Sequence, residues 1–153
     1  MTILKYFDLK RAAISALNDY PSMKAIIANT DEEIRQKYHE MTGVKSPVYT
    51  AAPRIKGFKS ASEKMGDALS DIDVLKLRYR EAVNYMNWFQ PAWDALCNRD
   101  RFILETFYLN EDTKGNAVYV VMGEYSIERS TAYRWKDIAV EHLSTLLYGG
   151  VHS

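Results

Sequence analysis

The sequence predicts an all-α chain, a hairpin of long helices followed by a compact helix–turn–helix portion. Three observations carry that expectation. Apolar residues recur at three- and four-residue steps through most of the chain. No run alternates apolar and polar residues long enough to mark a half-buried strand. Only four prolines are present (Pro21, Pro47, Pro53 and Pro91), so long stretches run free of helix breakers.

The first helix is predicted to start at Asp8, a residue type that caps helices, and to end at 18–20, ahead of Pro21. The second spans roughly 22–41, with Met23, Ile26, Ile27, Ile34, Tyr38 and Met41 on one stripe, and Gly43 ends it. Residues 1–43 are thus the N-terminal helices, and 44–69 read as a basic loop or linker, since Pro47, Pro53 and Gly57, with several Ser and Thr, gather just after Gly43. The long helix 70–94 opens on Ser70-Asp71-Ile72-Asp73, a cap followed by acid where the helix dipole favours it. Its stripe is Ile72, Leu75, Tyr79, Val83, Met86 and Phe89, and Pro91 closes or kinks it. Two such helices joined by a long loop lie most simply antiparallel. Trp88, Phe89 and Trp93 are expected to form the joint with the C-terminal portion.

Residues 95–153 hold the remainder. Asn98 is the expected cap of a helix over 99–109, and 110–116 is a turn cluster. Residues 117–122 suit a strand by propensity and a short buried helix by setting; a helix over 117–125 fits the pattern. After a break at Ser126-Ile127, a last helix runs over 128–147 and stops at Gly149-Gly150.

With 47% apolar and 26% charged residues, disorder of the whole 153-residue chain is excluded. No apolar run approaches the ~18 residues of a membrane span. Lys5, Asp8, Lys10 and Arg11 interrupt the first twenty residues, so no secretory signal is expected. The single cysteine, Cys97, excludes an internal disulfide and fits a reducing, cytoplasmic setting. The chemistry of an enzyme is not expected. Asp71 and Asp73 read as cap chemistry, and 31–33 as a solvated helix turn. His39, His142 and His152 are too scattered for a metal set, and His142 reads as packed or half-buried. Cys97 reads as a buried, inert thiol. No Gly-rich phosphate loop occurs, and no cofactor or metal is expected.

Twenty Lys+Arg against twenty Asp+Glu leave no global field. Lys45, Arg54, Lys56 and Lys59 nevertheless form an acid-free stretch interleaved with Tyr49 and Phe58. It reads either as a solvated linker or as an arm laid along DNA phosphates.

Short helix, tight turn and longer helix make a helix-turn-helix layout. Val121, Tyr125 and Ile127 would be buried there, and small Ala132 would sit where the helices cross. The inner face would continue through Trp135, Ile138, Ala139, His142 or Leu143, and Leu146, with Trp135 deeply buried. That leaves Arg129, Ser130, Thr131, Tyr133, Arg134 and Lys136 facing out as candidate DNA-binding residues. Arg129 or Arg134 can pair bidentately with a guanine, while Ser130, Thr131 and the helix amides suit phosphate oxygens.

The segment 126–136, Ser-Ile-Glu-Arg-Ser-Thr-Ala-Tyr-Arg-Trp-Lys, resembles the recognition segment of sigma-factor region-four-type domains, whose usual pattern is Gly-hydrophobic-Ser-Arg-Ser-Thr-Val-Tyr-Arg. Ser126 stands where that pattern has Gly, and Glu128 where it has the capping Ser. Leu96 and residues 101–109 resemble the helix that opens such domains. More broadly the chain resembles phage-encoded transcriptional regulators of the ArpU/RinA type, through residues 17–23, the charged helix after them, the Ser/Pro/Gly-containing middle and the sigma-like end. The resemblance implies a regulator acting in a bacterial host cell, binding promoter double-stranded DNA with the helix that starts near Glu128. RNA polymerase would be a further partner, as would a second copy through the N-terminal helices. Residues 99–153 hold six basic and eight acidic side chains, so a second basic element or a dimer would have to add affinity. Two other classes stay open: a packaging or assembly protein like a terminase small subunit, forming a ring, and a protein-binding helical adaptor.

Overall fold

A computed structural model of the chain describes residues 7–42 and 61–149. Every regular element among the described residues is helical, with no strand, so the all-α expectation holds. The elements are α1 (Leu9–Thr42), α2 (Ala61–Ala95), α3 (Asn98–Leu104), a π-helical turn (Glu105–Leu109), a 3-10 turn (Lys114–Asn116), α4 (Ala117–Tyr125) and α5 (Arg129–Tyr148). The ambiguous segment 117–122 is therefore helical. No described helix is long and apolar enough to cross a membrane.

Three expectations about the long helices are corrected. Pro21 does not end the first helix, because it lies inside the 34-residue α1. Proline costs a helix one hydrogen bond and a steric clash. Here Ala13, Ala16, Leu17 and Tyr20 are buried before it and Thr30 after it, while Pro21 itself faces solvent. Packing on both sides outweighs the lost bond. Pro91 likewise lies inside α2 rather than closing it, between buried Phe89 and buried Ala92 and Trp93. Residues 61–69, expected as linker, are the first turns of α2. They are mostly good helix formers (Ala61, Glu63, Lys64, Met65, Ala68, Leu69), with Glu63 in the first turn, so Gly66 and Ser62 do not prevent the helix. Residues 43–60, including Lys45, Arg54, Lys56 and Lys59, lie outside the described residues.

The chain divides into two compact units, Met1–Met23 with Tyr85–Ser153, and Lys24–Asn84. The first has a continuous core built from Leu17, Phe89, Trp93, Ile103, Val121 and Leu143 among others. Aromatic rings tie its helices together. Tyr20 lies 4.9 Å from Phe89 and 5.8 Å from Trp93, centroid to centroid. The Tyr85 hydroxyl donates to the Ala16 carbonyl, the Tyr20 hydroxyl donates to Gln90 Oε1 at 2.8 Å, and Trp88 Nε1 donates to the Leu147 carbonyl at 3.3 Å. These aromatics form the joint between the long helices and α5, as their sequence clustering suggested. The second unit packs residues 24–42 against 61–84, and Lys37 Nζ lies 3.4 Å from Asp71 Oδ2 across the pair. Its buried side chains among the described residues are Thr30, Ile72, Leu75 and Ala82.

Candidate nucleic-acid interface

Local chemistry positions α4 and α5. Asp8 does cap α1, its carboxylate accepting from the Arg11 amide at 3.0 Å, but neither α3 nor α5 has a side-chain cap. Asn98 is the first residue of α3 rather than its cap. Its amide oxygen accepts from Arg101 Nη2 at 2.8 Å, and Cys97 holds the cap position with extended backbone. The helix expected over 99–109 widens at its end into the π-helical turn, where the Asn110 amide reaches the Glu105 carbonyl at 2.8 Å. In the loop that follows, Thr113 Oγ1 donates to the Thr106 carbonyl at 2.8 Å and Asn110 Oδ1 accepts from the Asp112 amide at 2.9 Å.

The turn into α5 rests on Ser126, whose φ of 52° and ψ of 51° are left-handed. The amides of Ser126 and Ile127 both turn back to the Met122 carbonyl, and the side chains of Met122 and Ile127 pack against the core. Glu128 then has an extended backbone, and its carbonyl accepts the first intrahelical bond of α5 from Ala132 at 2.9 Å. Ala132 is completely buried, as its place in the sequence requires where two helices meet closely.

The inner face of α5 is rotated from the expected one. Ala132, Ala139, Val140, Leu143, Ser144 and Leu147 are buried, whereas Ile138 and Trp135 are half-buried and Leu146 is 44% exposed. Trp135 sits edge-on to Tyr125 at 5.6 Å, and the Arg99 guanidinium lies 4.5 Å above its ring. Val140 and Leu147 lie one position beyond the residues the pattern singled out, and the stripe through Ala132, Ala139 and Leu143 pulls them inward. His142 is exposed, not packed, and its Nδ1 lies 2.6 Å from Oδ2 of the buried Asp100. Cys97 is exposed too, because the inward position of that bend is taken by Leu96.

The rotation leaves most of the candidate face outward. Arg129, Ser130, Tyr133 and Arg134 are exposed, and Thr131 is half-buried. Lys136 departs from the expectation. Only a quarter of its side chain is accessible, and its ammonium lies 5.5 Å from the ring centroids of both Phe107 and Tyr133 and 3.8 Å from Asp137 Oδ1. It sits four residues after Ala132, at the edge of the buried stripe, so its stem is drawn over the rings. The Arg129 guanidinium lies 5.7 Å from the Tyr133 ring and 6.0 Å from the Tyr119 ring. Its affinity for its proton is raised, first by hydrogen bonding with the Tyr133 hydroxyl.

Sequence reasoning alone does not single out Tyr119 or Phe107. Tyr119 is 60% exposed on α4, off the stripe of Ala117, Val118 and Val121, and that stripe is the signal that could have placed it outward. Phe107 sits in the π-helical turn and packs half-buried against the core, which fits an apolar side of the helix over 99–109 but carries no sign of contact with Lys136. On the first turns of the helix Arg129 and Lys136 are thus set among phenyl and phenol rings and Arg134 is exposed, residue types that can meet phosphates and base edges. Among the described residues no group of three His, Cys, Asp or Glu side chains could hold a metal ion. Compared with family models, curated proteins and solved structures, the chain matches none at a significant level.

Proposed function

We propose that the chain is a phage or prophage regulator of transcription that binds double-stranded DNA in the cytoplasm of a bacterial host. In this reading α4, the Ser126 turn and α5 act as a sigma region-four-like helix-turn-helix, and the N-terminal helices form a hairpin that recruits a second copy or RNA polymerase. The observation that carries it is the outward display of Arg129, Ser130 and Arg134 on the first turns of α5 while Ala132, between them, is completely buried. An Arg at the start of such a helix can reach guanine O6 and N7 in a major groove. Tyr133 and Tyr119 hold Arg129 in place and lower the entropy it loses on binding.

The test is in-vitro site selection followed by binding measurements. Arg129→Ala and Arg134→Ala are each expected to weaken binding to the selected site by about 1–3 kcal/mol and to relax the preference at one base position. Circular dichroism should be unchanged, since both side chains are exposed. Wild-type specificity in both variants, or no DNA retained even at low salt, overturns the reading.

A further inference from the structure

We infer that the outer face of α2 around Val74 and Leu77 is an interface with a second copy of this chain, the two α2 helices lying antiparallel about a twofold axis. The inference deepens the dimer part of the reading above and stands apart from its DNA part.

The described residues of the unit Lys24–Asn84 are thinly cored. Ile26, Ile27 and Ile34, the stripe expected to be its interior, are all only half-buried. Large apolar side chains on α2 meanwhile face solvent, with Val74 54% and Leu77 50% exposed. They do not belong to the buried stripe of α2 in this unit, which is Ile72, Leu75 and Ala82. Val74 and Leu77 are three residues apart and adjacent on the helix surface, Leu77 opposite the buried stripe and Val74 at the margin of the groove beside α1. A groove of about 480 Å³ runs beside them between α1 and α2, with Asp71, Val74 and Arg78 on its α2 wall.

Charge identifies what covers this face. Asp71 and Arg78 are seven residues apart, two turns along one flank of the Val74–Leu77 pair. Asp73 and Arg80 are likewise seven apart, on the other flank. All four are exposed. Acid thus precedes the apolar pair on both flanks and base follows it. A second copy laid antiparallel, with the axis passing midway between residues 74 and 77, matches this pattern to itself. Val74 then meets Leu77 of the second copy, Asp71 meets its Arg78, and Asp73 meets its Arg80. The same three matches recur on the other side of the axis, as twofold symmetry demands. Further out, Ser70 meets Glu81 and Asp67 meets Asn84, with no like charges opposed. A parallel pairing would set Asp against Asp and Arg against Arg, which disfavours it. Asp71 already lies 3.4 Å from Lys37, yet its side chain remains 57% exposed and open to a further cation.

The test is the mass of the full chain by sedimentation equilibrium across a concentration series, with circular dichroism to confirm folding. The wild-type mass should rise with concentration to twice the 17.6 kDa of one chain. Leu77→Asp should stay at single-chain mass throughout. Asp73→Arg alone and Arg80→Asp alone should each raise the dissociation constant at least about tenfold, because each opposes like charges on both sides of the axis. The doubly exchanged chain should recover the wild-type value, and an equimolar mixture of the two single variants should associate with each other. A wild type that stays at single-chain mass, a larger ring, or association indifferent to these exchanges overturns the inference. None of these outcomes depends on whether DNA is bound.

Discussion

Tyr85 shows how one side chain couples a core to pH. Its hydroxyl donates to the Ala16 carbonyl while its ring stacks on Phe89 at 5.2 Å. Burial, and then the Asp19 carboxylate, push its proton affinity well above the ordinary phenol value near 10. The folded chain therefore holds this proton more tightly than the unfolded chain does. The stability it contributes is fully present below about pH 10 and is lost as the pH rises beyond that, where only the unfolded chain sheds the proton. Tyr85→Phe is expected to lower stability by about 1 kcal/mol at neutral pH, for the lost hydrogen bond. It should also flatten the fall in urea stability above pH 10. A fall of wild-type steepness in the variant would refute the assignment. At the candidate interface, Arg129, Ser130 and Arg134 were legible because their distances from the helix start fix their direction. Lys136 was not, since only the rings of Phe107 and Tyr133 decide whether a long side chain at the stripe's edge reaches out or lies down.

At the scale of elements, the turn between α4 and α5 carries measurable strain. Ser126 sits at φ 52°, where a side chain costs about 1–2 kcal/mol and glycine costs little. Ser126→Gly should therefore stabilise the chain by about 1 kcal/mol in urea denaturation and leave the placement of α5 unchanged. A destabilised glycine variant would mean that the serine side chain itself holds the turn. The break after Tyr125 was legible from the residues around it, and so was α4. The π-helical turn was not, because Glu105–Leu109 carries no residue that forbids an ordinary helix and the widening depends on how the loop anchors to Thr106. The prolines misled for a related reason. Local preference opposes them inside a helix, and burial on both sides of Pro21 and Pro91 outweighs it.

At the scale of the molecule, the proposed binding of DNA would draw its affinity from how many cations reach the duplex together. Arg129, Arg134 and Lys136 are the three cations of the first two turns of α5. Three neutralised phosphates give a slope of log K against log salt of about −2.7, and two copies acting together about −5. Measured slopes on one long duplex, for the wild type and for Leu77→Asp, are expected to differ by that factor of about two. Equal slopes would mean that one module suffices, and a slope much steeper than −5 would implicate Lys45, Arg54, Lys56 and Lys59.

The sequence by itself determined the helical class, the turn at Ser126 and the outward start of α5. All of these follow from preferences acting over a few neighbouring residues. Tertiary structure decided the continuity of α1 through Pro21, the rotation of the α5 core face, the resting place of Lys136 over its rings and the thin packing of residues 24–42 and 61–84. These depend on which distant side chains fill the space beside a helix, and no local pattern specifies that.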